Sequence, residues 1–236
     1  MTWLRSAAFN LAFYGLTAAF AVLCLPALLL PAPVHRRCVV AWARAVIWLL
    51  RVVCDIRLRI EGEDALPRRG PALVAAKHQS AFDTLVWLPL LPDAVYVLKR
   101  ELLAIPIWGW HARRLGMIAV DRQAGAAAMR HLIRAGRAAA TAGRQIVIFP
   151  EGTRVAPGAH RPYQPGVVAL ATATGLPVLP VATDSGRRWG RHSFLKRPGT
   201  ITISILPAIP AATPREELLE RLEAAVEGET ARLLAG

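Results

Sequence analysis

The chain has 236 residues, enough for one ordinary domain with or without a membrane attachment. Hydrophobic residues make up 54% and charged residues 19%, which excludes a disordered chain, and the 17 Gly and 18 Pro follow no fibrous period. Lys and Arg outnumber Asp and Glu by 29 to 16, a net charge of +13, yet the mean hydropathy is +0.36, so the apolar residues must be concentrated somewhere.

They are concentrated at the front. Ser6 to Val34 is a run of 29 residues without Asp, Glu, Lys, Arg or His, long enough to span a bilayer and closed by the breaker Pro31-Ala32-Pro33. A second apolar stretch of 13 residues, Cys38 to Leu50, is interrupted only by Arg44, carries Trp42 and Trp48, and is flanked by Arg36, Arg37 and Arg51. Basic and aromatic edges of that kind suit the headgroup layer. The first acidic residue is Asp55, so five arginines precede any opposing charge, as a surface meeting anionic lipid should have it. A buried core helix and a cleaved signal peptide are the competing readings. The run is too long for a signal h-region and no clean A-x-A site follows it. The expectation is a membrane-attached helical pair over residues 1–54, joined near Pro31 to Pro33, and a catalytic domain over residues 55–236. Cys24, Cys38 and Cys54 lack CxxC spacing and a neighbouring His set, which predicts neither a disulfide framework nor a metal site and fits a reducing, cytosol-facing environment.

Beyond Asp55 the pattern is α/β. Strands are predicted at Ile56 to Ile60, Ala72 to Ala76, Ala94 to Leu98, Met117 to Val120, Gln145 to Phe149, Val178 to Ala182 and Ile201 to Leu206, with longer helical stretches between them. This spacing predicts a mixed β-sheet flanked by helices. Ala124 to Ala142 reads as a helix from its alanine content, stopped by Gly143. A last helix is predicted after the capping box Thr213-Pro214-Arg215-Glu216, with Leu218, Leu219, Leu222 and Val226 on one face.

Two constellations carry chemistry. In Lys77-His78-Gln79-Ser80-Ala81-Phe82-Asp83, a loop entering a helix can set the Asp83 carboxylate on one imidazole nitrogen and leave the other free as a general base. Taken alone, a His capping a strand end explains the same residues. In Phe149-Pro150-Glu151-Gly152-Thr153-Arg154, a tight turn after a strand lets backbone N–H groups and a guanidinium converge on an anion, although an ordinary turn with a solvated Arg has the same sequence. Gly116 to Arg122 delivers another Arg at a strand end, where open α/β sheets bind ligands.

Together these segments resemble the 1-acylglycerol-3-phosphate O-acyltransferases, the lysophosphatidic acid acyltransferase family of glycerolipid acyltransferases. His78 to Asp83 matches the family's H-x4-D block. Lys99 to Leu102 with Gly116 to Arg122 match the second block, Phe149 to Arg154 the third and Leu176 to Val181 the fourth. Pro162 to Gly166 is similar to the family's Y-K-P-G stretch, with Gln164 in place of Lys, and Lys77 stands where Asn often precedes the His. The resemblance implies the glycerolipid acyltransferase fold and transfer of a fatty acyl group from acyl-CoA or acyl carrier protein to the 2-hydroxyl of a lysophospholipid, making phosphatidic acid for phospholipid synthesis. His78 would take the hydroxyl proton and Asp83 would orient the imidazole, while Lys99, Arg122 and Arg154 would hold the acceptor phosphate. Glu151, Gly152 and Thr153 would support the third block. No metal or cofactor is expected beyond the thioester co-substrate. A close alternative keeps the chemistry and changes the acceptor, for example to a lyso-ornithine lipid. A non-enzymatic membrane adaptor on the same fold would be expected to break the His78 and Asp83 pair, and here both residues are present.

The basic charge fits anionic lipid, a phosphorylated acceptor and an acidic carrier. Nucleic acid is not an expected partner, because no nucleic-acid motif or aromatic stacking platform accompanies the basic residues. Arg187, Arg188, Arg191, Lys196 and Arg197 form a candidate patch for carrier or headgroup, with a simple solvated face as the alternative.

Overall fold

Prolines divide the apolar front of the chain. In the computed structural model, which describes residues 1–236, the uncharged run is not one helix. Helix α1 (Thr2–Leu23) gives way to a single 3-10 turn (Pro26–Leu29), and α2 (Ala32–Cys54) turns back along it. Two helices form as expected, but their joint runs from Cys24 to Pro31 rather than Pro31 to Pro33, and the cause is local: Pro26 and Pro31 cannot supply the N–H groups that a continuous helix would need. Helix α1 is long and apolar enough to cross a membrane. Only Ser6 and Phe9 of it are buried, whereas Trp3, Leu4, Leu11 and Tyr14 are exposed. In α2, Ala43, Val46, Leu50 and Cys54 recur at helical spacing and enter the core, which orients that helix on the sheet.

The remaining elements alternate. They are β1 (Ile56–Glu61), β2 (Ala72–Ala76), α3 (Asp83–Leu90), β3 (Ala94–Lys99), α4 (Trp108–Arg114), β4 (Ile118–Val120), α5 (Gly125–Thr141), β5 (Gln145–Ile148), α6 (Gly166–Thr174), β6 (Val178–Thr183), α7 (Ser185–Arg188), β7 (Gly199–Ile205) and α8 (Arg215–Ala235). The seven strands form one mixed sheet in the order β1-β7-β6-β2-β5-β3-β4, antiparallel only between β6 and β7. The sheet agrees with the expectation, and each predicted strand lies within two residues of an observed one.

Alternation along β2 divides the core into two layers. Val74 and Ala76 face α1, α2 and α3 in one cluster with Phe9, Leu50 and Trp87. Leu73 and Ala75 face the other, built with Leu132 of α5, Leu170 of α6, and Leu222 and Val226 of α8. Each buried Val, Leu or Phe among them contributes about 1.5–3 kcal/mol by leaving water. Gly136 lets α5 approach α6, because a Cβ there would meet Leu170 Cδ2 at 2.2 Å.

The expected capping box does not form. Pro214 is the N-cap of α8 and no side chain caps the helix, so Thr213 lies one residue too early. Leu218, Leu222 and Val226 are nevertheless buried as their spacing predicts.

The candidate basic patch also dissolves. Lys196 is buried, with its ammonium donating to Asn10 Oδ1 at 2.8 Å and to the carbonyls of Ser193 and Phe194 at 3.1 and 2.9 Å. It pins α1 to the sheet. Arg187 and Arg188 donate to backbone carbonyls at Leu233, Leu234, Thr200 and Pro198, Arg197 is exposed, and Arg191, which donates to the Arg154 carbonyl at 3.2 Å, is the member that lines a cavity.

Candidate active site

Strands β2, β3, β4 and β5 are parallel neighbours, so their carboxyl ends meet at one edge of the sheet. The chain leaves β2 towards His78, β3 at Lys99, β4 towards Arg122 and β5 towards Glu151 to Arg154. Topology thereby gathers residues that are more than 70 positions apart, at the place where such sheets bind ligands.

Asp83 opens α3, and its Oδ2 accepts from the N–H groups of Gln79 at 2.7 Å and Ser80 at 2.8 Å. The same oxygen meets His78 Nδ1 at 3.1 Å. An ionised carboxylate only accepts, so Nδ1 carries the proton and Nε2 holds a free lone pair. His78 stacks on Phe149 with ring centroids 4.1 Å apart, which fixes the plane of the imidazole. Its own backbone is held as well: the His78 N–H donates to Glu151 Oε2 at 2.9 Å, and the His78 carbonyl accepts from the Val155 N–H at 2.7 Å. The two predicted constellations are thus one structure.

Gly152 makes the turn after β5 with φ of 72°, and a Cβ there would come within 3.1 Å of the Arg122 guanidinium. Glycine serves both the turn and the close approach. Burial of part of its side chain and repulsion from Arg161 lower the Arg122 pKa. Burial, opposed by Lys77, pushes the Glu151 carboxyl up to about 7.

A cavity of about 810 Å³ opens beside these groups. His78, Lys99, Arg122, Glu151, Gly152, Thr153 and Arg154 all line it, so every predicted site residue except Asp83 reaches it, and Asp83 sits behind the imidazole. Its apolar wall comes from both helical layers, including Phe20 and Trp42 of the front pair and Leu85 of α3 on one side and Met129 and Leu132 of α5 on the other. Such a space suits a lipid chain with a charged end. The sequence reading missed Arg161 and the role of Tyr163, although the first adjoins and the second lies within the Pro162 to Gly166 stretch it singled out. It also missed Glu227, for which no local signal exists. Lys77 was noticed only as a replacement. In the structure its ammonium is buried between Glu151 Oε1 at 2.8 Å and Glu227 Oε1 at 2.6 Å.

Residues 57–184 match the family model described as Acyltransferase. A 1-acyl-sn-glycerol-3-phosphate acyltransferase of Pseudomonas aeruginosa is 39% identical over 80% of this chain and 75% of its own length. The protein of that name from Limnanthes alba is 32% identical over 70% of this chain and 57% of its own length. The human alpha form is 27% identical over 71% and 60%. The crystal structure of the 1-acyl-sn-glycerophosphate acyltransferase from Thermotoga maritima superimposes with a TM-score of 0.82 at 22% identity, covering 100% of this chain and 99% of that one, which shows the shared fold.

Proposed function

The chain belongs to the acyltransferase family, and on that premise we propose that it transfers a fatty acyl group from an acyl thioester to the 2-hydroxyl of 1-acylglycerol 3-phosphate, yielding phosphatidic acid. One observation carries the reading. A histidine oriented by a buried carboxylate lines the same cavity as five cations, Lys99, Arg122, Arg154, Arg161 and Arg191.

In the proposed reaction His78 Nε2 takes the acceptor hydroxyl proton as the oxygen attacks the thioester carbonyl. Asp83 stabilises the imidazolium that forms. The new C–O bond forms, the C–S bond breaks, and the imidazolium returns the proton to the leaving thiolate. No acyl-enzyme is needed. Guanidinium groups suit phosphate because they donate in a planar fork, and Lys99 adds a point charge. Lys99 and Val120 are in register across β3 and β4, which brings Lys99 beside the segment leading to Arg122. The donor is an acyl thioester on coenzyme A or on an acyl carrier protein.

Membrane attachment through the front helices is part of the same reading, with the catalytic part facing the cytoplasm. The exposed apolar side of α1 supports it, and Phe20 and Ala21 of that helix contribute to the cavity wall, so a lipid substrate would enter without leaving an apolar environment.

The test is transfer of oleoyl thioester to lysophosphatidic acid by the protein in liposomes. His78→Ala is expected to lower kcat by about 10²- to 10⁴-fold while liposome binding persists. Near-normal turnover by that variant would refute the assignment.

A further inference from the structure

The cluster behind His78 contains one more charge than its motifs require. Lys77 is 1% exposed, and a buried ammonium persists only where carboxylates meet it. Glu151 comes from the neighbouring strand end. Glu227 comes from α8, 150 residues away in sequence, and its Oε1 also accepts from Tyr163 Oη at 2.9 Å. Glu151 meanwhile divides its two oxygens, with Oε1 towards the Lys77 ammonium and Oε2 accepting the His78 N–H. Lys77 and His78 are consecutive, so whatever fixes the lysine also fixes the backbone that carries the base.

We propose that Glu227 is a positioning residue for the acyl transfer: it holds the Lys77 ammonium in place beside Glu151, and so sets the carboxylate that grips the His78 backbone. This inference rests on His78 acting as the base. Lys77 has three N–H donors at an apolar strand end, and one carboxylate alone cannot meet them. With Glu227 in place, the ammonium is shared and Glu151 keeps its second oxygen for the His78 N–H. Without it, Glu151 becomes the sole carboxylate facing a buried cation, and the geometry at His78 relaxes towards that ion pair.

The charges facing Glu151 are few. They are Lys77 from the end of β2, Glu227 from α8 and the Tyr163 hydroxyl from the loop before α6, while Glu223, paired with His160, acts on Tyr163. Burial is the main cause that raises the Glu151 pKa, and the Glu227 charge adds to it. Protonation removes much of the acceptor strength that Glu151 offers the His78 N–H, so the acidic limb of kcat carries the ionisation of this carboxyl.

The experiment measures kcat and acceptor KM across pH for the full chain in liposomes, as wild type, Glu227→Ala, Glu227→Gln and His78→Ala. Glu227 lies at the edge of the cluster, its side chain 24% exposed, which favours folding of its variants. The alanine variant is expected to lose about tenfold in kcat with acceptor KM nearly unchanged, as for a displaced rather than deleted base. Glutamine keeps an acceptor oxygen for Lys77 and Tyr163, so it should restore most of kcat at the optimum. It should also move the acidic limb to lower pH, because removing a neighbouring negative charge lowers the Glu151 pKa. Wild-type kcat in Glu227→Ala beside an inactive His78→Ala would overturn this inference alone. A lowered Tm with an unmoved acidic limb would assign Glu227 to stability only and overturn it too. Full activity of His78→Ala would overturn the base and the positioning residue together.

Discussion

The charges around His78 fall into two groups that the protein treats in opposite ways. Lys99, Arg122, Arg154, Arg161 and Arg191 line the cavity, and none forms an ion pair with a carboxylate. Lys77, Glu151 and Glu227 are drawn together behind the strand ends, where the one ammonium is shared by the two carboxylates. Hydrated cations facing a cavity cost little to leave unpaired, whereas an unpaired charge in the buried cluster would cost several kcal/mol. The first group is available to an anionic ligand and the second holds the machinery still. Arg100 makes the contrast sharper, since it follows Lys99 directly yet is tied to Asp121 at 3.1 Å and does not line the cavity.

Breaking the His78–Asp83 pair, the proposed base and its orienting carboxylate, should have the largest effect. Asp83→Asn is expected to lower kcat by about 10²-fold or more, because the amide can donate to Nδ1 and favour the wrong imidazole tautomer. Its pH–rate profile, measured with His78→Ala as the reference, checks this. Next come the cavity cations. Arg122→Ala or Arg154→Ala should raise KM for a phosphorylated acceptor by about 10- to 100-fold, the value of a charge-assisted contact of 1.5–3 kcal/mol. KM for a phosphate-free lysolipid should stay unchanged in the same assay.

Two smaller effects concern the joint between the front helices and the sheet. Asn10→Ala removes one acceptor from the buried Lys196 ammonium and should cost about 1 kcal/mol, read as a lower denaturation midpoint. The last is a pH effect. His35 of α2 is buried, and its Nε2 lies 2.8 Å from His111 Nδ1 of α4. Burial, reinforced by His111, Arg114 and Arg36, lowers the His35 pKa from 6.5 to about 4. The unfolded chain then binds the extra proton, so stability is full above pH 6.5 and is lost as pH falls from there towards 4. From about pH 7 to about pH 6 the loss should be under about 1 kcal/mol, and His35→Gln should flatten it in a thermal melt series.

The strands and the motif residues were legible because their signals are local. Ala72 to Ala76 is apolar, short and bounded by Pro71 and the Lys77 loop, and it forms β2 over those same residues. The H-x4-D spacing predicts the Nδ1 contact because a loop of that length returns on itself at the start of α3. Where the reading failed, either a nearby proline or a partner elsewhere in the chain decides. Composition shows that Ser6 to Val34 is apolar but does not decide where it bends, and the prolines do. Lys196 looks like a surface cation until α1 brings Asn10 to it. Glu227 is one of several acids on an exposed-looking helix, and only the docking of α8 reveals that it meets Lys77. Thr213 has the right residue type for a cap at a position that Pro214 pre-empts.

The most direct measurement of the central claim is the ratio of kcat/KM for lysophosphatidic acid to kcat/KM for a phosphate-free lysolipid of the same chain, for wild type and for the Arg122→Ala, Arg154→Ala double variant. Unpaired cavity cations that await a phosphate predict a wild-type ratio of about 10² or more, collapsing towards unity in the double variant while turnover of the phosphate-free acceptor persists. A wild-type ratio near unity, or one unmoved by the double substitution, would contradict the assignment of these arginines to the acceptor phosphate.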